Sequence, residues 1–326
     1  MDSSLIKKPI LNYLDQVESL LNDEVSSDIK ISFDVIKHLI NKPGKRLRPS
    51  IVILSALVLG KRINKKILSA AASVELLHNA SLIHDDIVDQ AEIRRGLKSA
   101  NKIWGDHATV LVGDFLLARS LFLVNKCNSN DVMSSVTNAA SELASGQILD
   151  IMISKRLIDF NENIYFKMIK LKTASLISSS AEVGALLSTN NSLKVKKLKT
   201  YGINLGISYQ LVDDALDLRG SSKKMGKNTM EDIKEGKVTL PLLIALKKAS
   251  VKEKKIITAI LNKKNFDRKN LDILYNFVLD NNAIEETLKT ASDYSSKAIS
   301  AIQSLDESKY KDSLIALARE NIVRIS

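Results

Sequence analysis

Apolar residues recur at helical spacing along almost the whole chain, and this repeat constrains the fold more than any other feature. Only four prolines and twelve glycines interrupt the 326 residues, fewer than an average composition would give. No alternating pattern typical of strands competes with the helical one. The apolar content of 45% is ample for a large core. The sequence therefore predicts an all-α fold, a large helical bundle with short connections.

Glycine, proline and polar clusters divide this pattern into segments. Loops are predicted at 41–49, 61–64, 90–106 and 220–239. Helices are predicted over roughly 4–22, 25–41, from about Pro49, from 64 into a first acidic motif, and over 106–126, 130–155, 161–189 and 193–219. Pro241 lies in the first turn of the next helix, and shorter amphipathic helices are predicted over 242–324.

Two copies of one acidic pattern, DDxxD, begin at Asp85 and Asp213, each within an apolar flank. The outer carboxylates of each copy are four residues apart, so on a helix they project from one face about a turn apart. Like charges there repel and resist desolvation unless a cation neutralises them. Carboxylate oxygens are the ligands that Mg²⁺ prefers, often together with a substrate's phosphates.

A single DDxxD is most simply explained as a solvated helix end, but two copies on apolar helices favour a functional site. The two copies indicate a pair of helices that face each other across a bundle. Acidic walls on both sides of a central cavity predict a site that binds a diphosphate through metal ions.

The net charge of +11 raises the alternative of nucleic-acid binding. However, many of the lysines are dispersed in surface-like stretches such as 194–199 and 247–269. Aromatic residues make up only 5% of the chain, and none interleaves with a basic patch as a stacking platform would. We therefore expect no nucleic-acid partner, and a small subset of the basic residues to contact phosphate groups.

Cysteine content and terminal sequence bear on the compartment. Cys127 is the only cysteine, which excludes an intramolecular disulfide and suits a reducing environment. The N-terminal residues lack the continuous apolar core of a signal peptide. The longest apolar stretch, near Ile51–Leu59, is too short to span a bilayer. We expect a cytoplasmic protein without a transmembrane segment.

A basic segment, GKRLRP at 44–49, precedes a predicted helix. Lys45, Arg46 and Arg48 could meet one anionic group there, together with the positive end of the helix dipole. Taken alone, the segment is better explained as a basic surface turn. It belongs, however, to an ordered series: GKRLRP (44–49), LLHNASLIHDDIVD (76–89), RRG (94–96), GD (113–114), KTA (172–174), YQLVDDALD (209–217) and GKNTMEDIKEGKVTLPL (226–242).

This series resembles the trans-isoprenyl diphosphate synthases, most closely their long-chain, octaprenyl-type members, over about residues 40–245. The resemblance implies an isoprenoid synthase fold, one polyprenyl synthase domain over 1–326, and a homodimer. It implies Mg²⁺ as the cofactor, held by Asp85, Asp89, Asp213 and Asp217, with Asp86 and Asp214 in support.

The resemblance also implies two diphosphate sites. The allylic diphosphate is expected to contact Arg94, Lys172, Thr173, Gln210, Lys227 and Lys237. Isopentenyl diphosphate is expected to contact Lys45, Arg48, His78 and Arg95. The lysines at 172, 227 and 237 are counted as catalytic with Asp85, Asp89 and Asp213. Guanidinium and ammonium groups are natural partners for phosphate oxygens. His84 is expected to be structural.

The implied reaction is repeated condensation of isopentenyl diphosphate with an allylic diphosphate such as farnesyl diphosphate. The allylic diphosphate ionises, the double bond of isopentenyl diphosphate attacks the cation, and a proton leaves. The apolar cavity must exclude water, which would quench the cation. The product is expected to serve quinone side chains and to be released through transient membrane contact.

Small residues before the first acidic motif predict a long product. Ala80 and Ser81 precede Asp85 by about one helical turn, where short-chain members of the family carry bulky aromatic residues. Leu77 and Ser73 lie deeper on roughly the same face, and Phe122 is a candidate for the cavity floor. We expect octaprenyl diphosphate. A simpler explanation is that the small residues permit close helix packing.

Two departures from the family pattern concern the surroundings of the site. Met230 stands where the family usually has a second glycine, and Gln147 and Asp150 stand where it often has glutamate and glutamine. The chain could instead be a medium-chain synthase or a nucleic-acid-binding protein. It could also be a terpene cyclase, which would be expected to lack GKRLRP and RRG. A non-catalytic regulatory subunit is the fourth alternative, and it would tend to lose a DDxxD.

Overall fold

Helices account for nearly all the regular secondary structure. The computed structural model describes residues 4–25, 29–40, 44–94, 96–155, 160–219, 230–263 and 266–323. The helices of the N-terminal half are α1 (Ser4–Lys7), α2 (Leu11–Glu24), α3 (Lys30–Ile40), α4 (Leu47–Leu57), α5 (Lys65–Val88), α6 (Ala100–Trp104), α7 (Asp106–Asn125) and α8 (Asn130–Ser154). A 3₁₀ turn, Lys8–Ile10, joins α1 to α2.

The C-terminal half is also helical, which confirms the predicted all-α fold. Its helices are α9 (Glu162–Ile169), α10 (Ser175–Leu186), α11 (Ser192–Arg219), α12 (Glu231–Lys234), α13 (Leu240–Lys248), α14 (Val251–Lys263), α15 (Arg268–Asp280), α16 (Ala283–Ile302) and α17 (Lys309–Val323). A π-helical turn, Lys170–Ala174, joins α9 to α10 without a break and is called the π turn below.

The structure differs from the sequence-based expectations at several places. The predicted helix 4–22 is divided by the 3₁₀ turn, and the predicted loop 220–239 contains α12. The predicted loop at 90–106 contains α6 and a small antiparallel pair, β1 (Ile93–Arg94) and β2 (Leu97–Lys98). These two strands are the only ones among the described residues. The predicted helix 161–189 is interrupted by the π turn, in which the hydrogen bonds span one more residue than in an α-helix.

Helix α5 carries the first acidic motif and lies at the centre of the main core. Its first turn is capped by Asn64, whose side chain accepts a hydrogen bond from the Ile67 amide at 3.1 Å. Alanines, serines and leucines on several of its faces are fully buried between α4, α7 and α2. Such a helix is buried all round, as the apolar flank of the motif predicts.

Helix α11 carries the second acidic motif and connects the main core to the C-terminal helices. It packs along α10 on one side and along α16 on the other. Its last turns, around Ala215 and Leu218, belong to a second apolar cluster formed with α13, α14, α15 and α16. Both acidic motifs thus lie on long helices fixed by extensive packing, which limits how far their carboxylates can move.

The π turn is held between two glycines. A Cβ atom on Gly146 of α8 would lie 2.4 Å from the Lys172 backbone nitrogen, and one on Gly206 of α11 would lie 2.5 Å from the Cα of Ala174. Both distances are far inside van der Waals contact, so only glycine permits these helices to approach the turn so closely. Helices α8 and α11 therefore hold the backbone of Lys172 between them, and this pair of close contacts is called the clamp below.

Helix α7 presents apolar residues to solvent. It is 20 residues long and is the one helix among the described residues that is long and apolar enough to span a membrane, by length and composition alone. In the structure it packs against α5 through Leu116 and Leu123, while Leu111 is exposed. Phe122 is 46% exposed, and its ring lies under the side chains of Arg119 and Lys126. The prediction that Phe122 forms a cavity floor is therefore wrong.

Candidate active site

One cavity of about 460 Å³ lies between α4, α5, the π turn and α11. The residues predicted from the sequence that line it are Lys45, Arg48, His78, Ser81, Asp85, Arg94, Lys172, Thr173, Gln210 and Asp213. A smaller pocket of about 70 Å³ shares Lys172, Thr173 and Gln210 with it and is also lined by Asp214 and Lys237. Residues from six separate segments of the chain thus converge on one site.

The three carboxylates of the first acidic motif have different surroundings. Asp85 faces the cavity. Asp86 is 1% exposed and accepts hydrogen bonds from the guanidinium of Arg94, one of them at 2.6 Å from Nε. Asp89 lies at the end of α5 and accepts a bond from the Lys237 ammonium at 3.2 Å. Lys237 thereby links the first acidic motif to the segment that follows the second.

Burial changes the acidity of these groups. Burial raises the pKa of the Asp85 carboxyl to about 6, and the nearby ammonium of Lys172 opposes that rise. Burial alone would lower the pKa of the Lys237 ammonium, but the carboxylates of Asp89 and Asp232 outweigh it and hold that pKa above its ordinary value. Burial therefore disfavours the ionised form of Asp85, and a cation bound beside it would stabilise that form.

The second acidic motif is tied to its neighbours by a chain of hydrogen bonds. Asp214 is buried, and its Oδ2 accepts from the hydroxyl of Tyr165 at 2.5 Å while its Oδ1 accepts from Gln210 Nε2 at 2.8 Å. The Gln210 carbonyl accepts from the Thr173 hydroxyl at 2.7 Å. Burial raises the pKa of the Asp214 carboxyl despite these bonds. Asp213, next to it, faces the cavity.

Asp217, a predicted metal ligand, also supports α12. Its two carboxylate oxygens accept hydrogen bonds from the backbone amides of Glu231 and Asp232 at 3.2 and 3.3 Å, as at a helix N-terminus. Its backbone carbonyl accepts from the Met230 amide. The carboxylate thus fixes the start of the segment that carries Lys237.

Met230 occupies a position suited to glycine. Its φ of 59° lies in the left-handed region, which costs an ordinary residue about 1–2 kcal/mol. Its side chain is 6% exposed and packs in the second apolar cluster, which offsets that cost. The departure from the family pattern therefore keeps the backbone geometry that a glycine would give.

Asp150 takes a role that explains the second departure. Its Oδ2 accepts a hydrogen bond from the Lys172 ammonium at 2.6 Å, so a carboxylate of α8 orients a lysine of the π turn. The side-chain amide of Gln147 is buried, and neither of its polar atoms has a hydrogen-bond partner among the described residues. Asp150 is a site residue that the sequence analysis noted only as a departure.

The basic segment at the start of α4 has one arginine in buried ion pairs and two other basic residues that face the cavity. Arg46, which the sequence grouped with its neighbours as a possible anion contact, is 6% exposed and pairs instead with Glu18 and Glu75, the latter at 2.7 Å. A buried guanidinium between two carboxylates is already neutralised. Lys45 and Arg48, on either side of it, line the cavity together with His78.

The two residues predicted to set chain length differ in their surroundings. Ser81 lines the cavity, and its hydroxyl donates to the His78 carbonyl at 2.8 Å. Ala80 is 2% exposed in the main core. About two turns earlier in α5, Ser73 bonds to Ser120 of α7, with 3.0 Å between the hydroxyl oxygens. Small residues thus allow α5 and α7 to approach closely below the first acidic motif.

Other predictions concern residues at the margin of the site. Arg95 and Lys227 lie outside the described residues. His84 contacts α7, with its Nε2 atom 3.5 Å from the Asp114 carboxylate, and Gly113 leaves room for its ring. Sequence reasoning missed Tyr165, which carries no motif. It also passed over Asp232, although that residue lies within the quoted GKNTMEDIKEGK segment.

The carboxylates of this site suit a divalent metal of the hard class. Asp85 and Asp213 project from opposite helices into one cavity, and the burial of Asp85 leaves its charge poorly solvated. Among the described residues, no three His, Cys, Asp or Glu side chains are close enough to hold an ion on their own. Mg²⁺ is usually bound in this way, by one or two carboxylates together with waters and substrate phosphates.

Comparisons with known proteins agree with this geometry. Residues 30–278 match the family described as polyprenyl synthetase. The chain is 32% identical to octaprenyl diphosphate synthase of Haemophilus influenzae, over 98% of this chain and 99% of that protein. It is 36% identical to geranylgeranyl diphosphate synthase of Saccharolobus solfataricus, over 80% and 81%.

A solved structure gives the same result. The polyprenyl synthase of Caulobacter crescentus CB15, in a complex with calcium and isoprenyl diphosphate, superposes with a TM-score of 0.94 at 33% identity and covers 100% of this chain and 98% of that one. The isoprenoid synthase fold expected from the resemblance is thereby confirmed. With this fold, two DDxxD helices and basic residues around one cavity, the chain belongs to the polyprenyl synthetase family and is a prenyltransferase.

Proposed function

We propose that the protein condenses isopentenyl diphosphate repeatedly with an allylic diphosphate such as farnesyl diphosphate to give a long-chain all-trans-polyprenyl diphosphate, octaprenyl in particular. One observation carries this proposal. Acidic residues of α5 and α11 and basic residues from the start of α4, from β1 and from the π turn line a single cavity. That arrangement suits two anionic substrates, one gripped through metal ions and one by basic side chains alone.

The cofactor in this proposal is Mg²⁺, held by Asp85, Asp89, Asp213 and Asp217. When bound, Mg²⁺ supplies Lewis acidity that draws negative charge from a departing diphosphate. Lys237 pairs with Asp89, and backbone amides of α12 donate to Asp217, so those two carboxylates would share their oxygens between these partners and a bound metal.

The protein's own residues bind and orient the two substrates. Arg94, Lys172, Thr173, Gln210 and Lys237, with Lys227, hold the allylic diphosphate. The second diphosphate is held by Lys45, Arg48 and His78, with Arg95. The allylic carbon–oxygen bond breaks with its electron pair leaving on the pyrophosphate. The double bond of isopentenyl diphosphate then attacks the allylic cation, and loss of a proton restores an allylic diphosphate.

The hydrocarbon part of the cavity has two tasks. Leu82, Leu143 and Ile177 line it beside the charged groups and exclude water from the cation. Ser81 leaves space under the first acidic motif for a growing chain. Relatives of this chain include both octaprenyl and geranylgeranyl synthases, so a medium-chain product is the second candidate.

The test is mass analysis of the products that the purified chain makes from farnesyl and isopentenyl diphosphates with Mg²⁺. We expect a forty-carbon diphosphate as the main product and no turnover when the metal is chelated. A main product of twenty to thirty-five carbons would support the medium-chain alternative. Absence of condensation would support a regulatory subunit, and consumption of farnesyl diphosphate alone would support a cyclase.

Further parts of the proposal concern the whole protein. We infer that residues 1–326 form one domain, that two copies form a homodimer, and that the enzyme is cytoplasmic. A partner copy would cover exposed apolar side chains such as Leu111 on α7 and Ile148 on α8. The product would serve quinone side chains and leave through transient contact with a membrane. Sedimentation analysis of the 36.0 kDa chain tests the dimer.

A further inference from the structure

Tyr165 lies behind the wall of the cavity and lines neither the cavity nor the pocket beside it. We propose that it is a positioning residue for the allylic diphosphate, acting through Asp214 and Gln210 on Thr173. The inference rests on the proposed function, since it concerns the substrate that Thr173 and Gln210 hold there.

The contacts form one continuous chain from the core to the cavity. Tyr165 is completely buried in α9, and its hydroxyl donates to Asp214 Oδ2 at 2.5 Å. Gln210 Nε2 donates to the other oxygen, Oδ1, at 2.8 Å. The carbonyl of Gln210 then accepts from the Thr173 hydroxyl at 2.7 Å. Both oxygens of Asp214 are therefore engaged by donors from two different helices.

The chemistry of the groups fixes the direction of each bond. Both oxygens of Asp214 accept hydrogen bonds, one from Tyr165 and one from Gln210, so Gln210 turns its amide nitrogen toward Asp214. Its carbonyl then points to Thr173, which must donate. The Tyr165 hydroxyl holds the other carboxylate oxygen, Oδ2, and so fixes the position of the group to which Gln210 donates.

The consequence concerns one substrate more than the other. Thr173 and Gln210 line the cavity on the side of the π turn and α11, where Lys172 and Asp213 also lie. The basic residues Lys45 and Arg48 come from the start of α4, a different wall. Loss of the Tyr165 hydroxyl should therefore weaken binding of the allylic diphosphate and leave binding of isopentenyl diphosphate almost unchanged.

The test replaces only the hydroxyl. Tyr165→Phe keeps the ring, which packs edge-on against Phe166 with centroids 5.5 Å apart. Without the Tyr165 hydroxyl, Asp214 and Gln210 are held less firmly, and the orientation of Thr173 becomes less well fixed. We therefore expect the Kd of farnesyl diphosphate with Mg²⁺ to rise about tenfold. The KM of isopentenyl diphosphate should change by less than about twofold on the same reasoning.

The chain offers a matched control in Tyr201→Phe. Tyr201 is also completely buried, and its hydroxyl donates to the Leu314 carbonyl at 2.8 Å, in the contact between α11 and α17. Both variants should lower the urea midpoint of unfolding, but only Tyr165→Phe should raise the Kd of farnesyl diphosphate. Equal loss of affinity in the two variants would assign the effect to general destabilisation and overturn the proposal.

A second comparison tests the path through Gln210. In a Gln210→Ala background, Tyr165→Phe should add little further loss of farnesyl diphosphate affinity, because the group it orients is absent. Fully additive losses would show that Tyr165 acts by another path and would overturn the proposal. Condensation by the wild-type protein is measured first. Its absence contradicts the proposed function, whereas wild-type turnover with unchanged affinity in Tyr165→Phe contradicts only the role of Tyr165.

Discussion

The close approach of α8 to the π turn predicts a large effect from a single methyl group. Gly146→Ala would place a Cβ 2.4 Å from the Lys172 backbone nitrogen and 2.7 Å from its Cα, where ordinary contacts begin at 3.4 Å. The two backbones would have to separate by about 1 Å, the difference between 3.4 and 2.4 Å. No flexible side chain can absorb this shift, because the atoms that would clash belong to the backbone.

Two opposing terms set the expected change in stability. Overpacking of a well-packed core costs about 1–3 kcal/mol, whereas alanine in a helix interior is favoured over glycine by about 0.5–1 kcal/mol. The net expectation is a loss of about 1–2 kcal/mol in the free energy of unfolding. Catalysis should also suffer, because Lys172 and Thr173 move with the π turn. A displacement of 1 Å in a catalytic site can lower the rate by up to about a hundredfold, and the flexible side chain of Lys172 can compensate in part. We therefore expect kcat/KM to fall about ten- to a hundredfold.

Gly184→Ala is the control for this prediction. Its Cβ would lie 2.3 Å from the Val52 carbonyl oxygen, so it overpacks α10 against α4 just as severely, three turns beyond the π turn. Urea unfolding and steady-state kinetics of both variants separate the two effects. We expect similar losses of stability and a loss of kcat/KM only in Gly146→Ala. Normal kinetics in Gly146→Ala, or equal kinetic losses in both variants, would refute the argument that the clamp positions Lys172.

Three further predictions follow from burial. The pKa of Asp85 is about 6 in the fold against 3.8 in a free side chain, so its ionisation destabilises the metal-free protein, increasingly as the pH rises from about 4 to 6 and fully above that. Asp85→Asn should abolish Mg²⁺-dependent turnover. In EDTA it should raise the free energy of unfolding by up to about 3 kcal/mol at pH 7 and by roughly half that at pH 5. A variant less stable than the wild type would contradict this. Arg46→Met should cost about 3–5 kcal/mol in urea unfolding, because it leaves Glu75 buried without a partner, and a second change, Glu75→Leu, should recover much of the loss; full stability of the single variant would count against it. Ala80→Phe should shorten the product seen by mass analysis. Ser81→Phe tests the same idea if the buried position 80 does not accept an aromatic ring, because Ser81 lines the cavity. Unchanged products in both variants would place the growing chain elsewhere.

Local signals in the sequence determined the helices and the identity of the site. Helix α5 was predicted from its apolar repeat and the polar residues before it, and it runs from Lys65 to Val88 with Asn64 as its cap. Pro241 lies in the first turn of α13, as predicted. The ordered motifs predicted that Lys45, His78, Asp85 and Asp213 share one site. These signals act within a few residues, so they can be read without knowledge of the fold.

Only the tertiary structure decided which partner each charged residue takes. Arg46 and Arg48 stand two residues apart in one basic segment and both reach the cavity wall, yet Arg46 is buried in ion pairs with Glu18 and Glu75. The π turn arises where α8 and α11 press glycines against it, and nothing in its own sequence, KLKTA, predicts it. Tyr165 reaches Asp214 across 49 positions of chain. Such contacts depend on how helices pack, because burial and partner geometry, rather than residue type or spacing, decide which hydrogen bonds and ion pairs form.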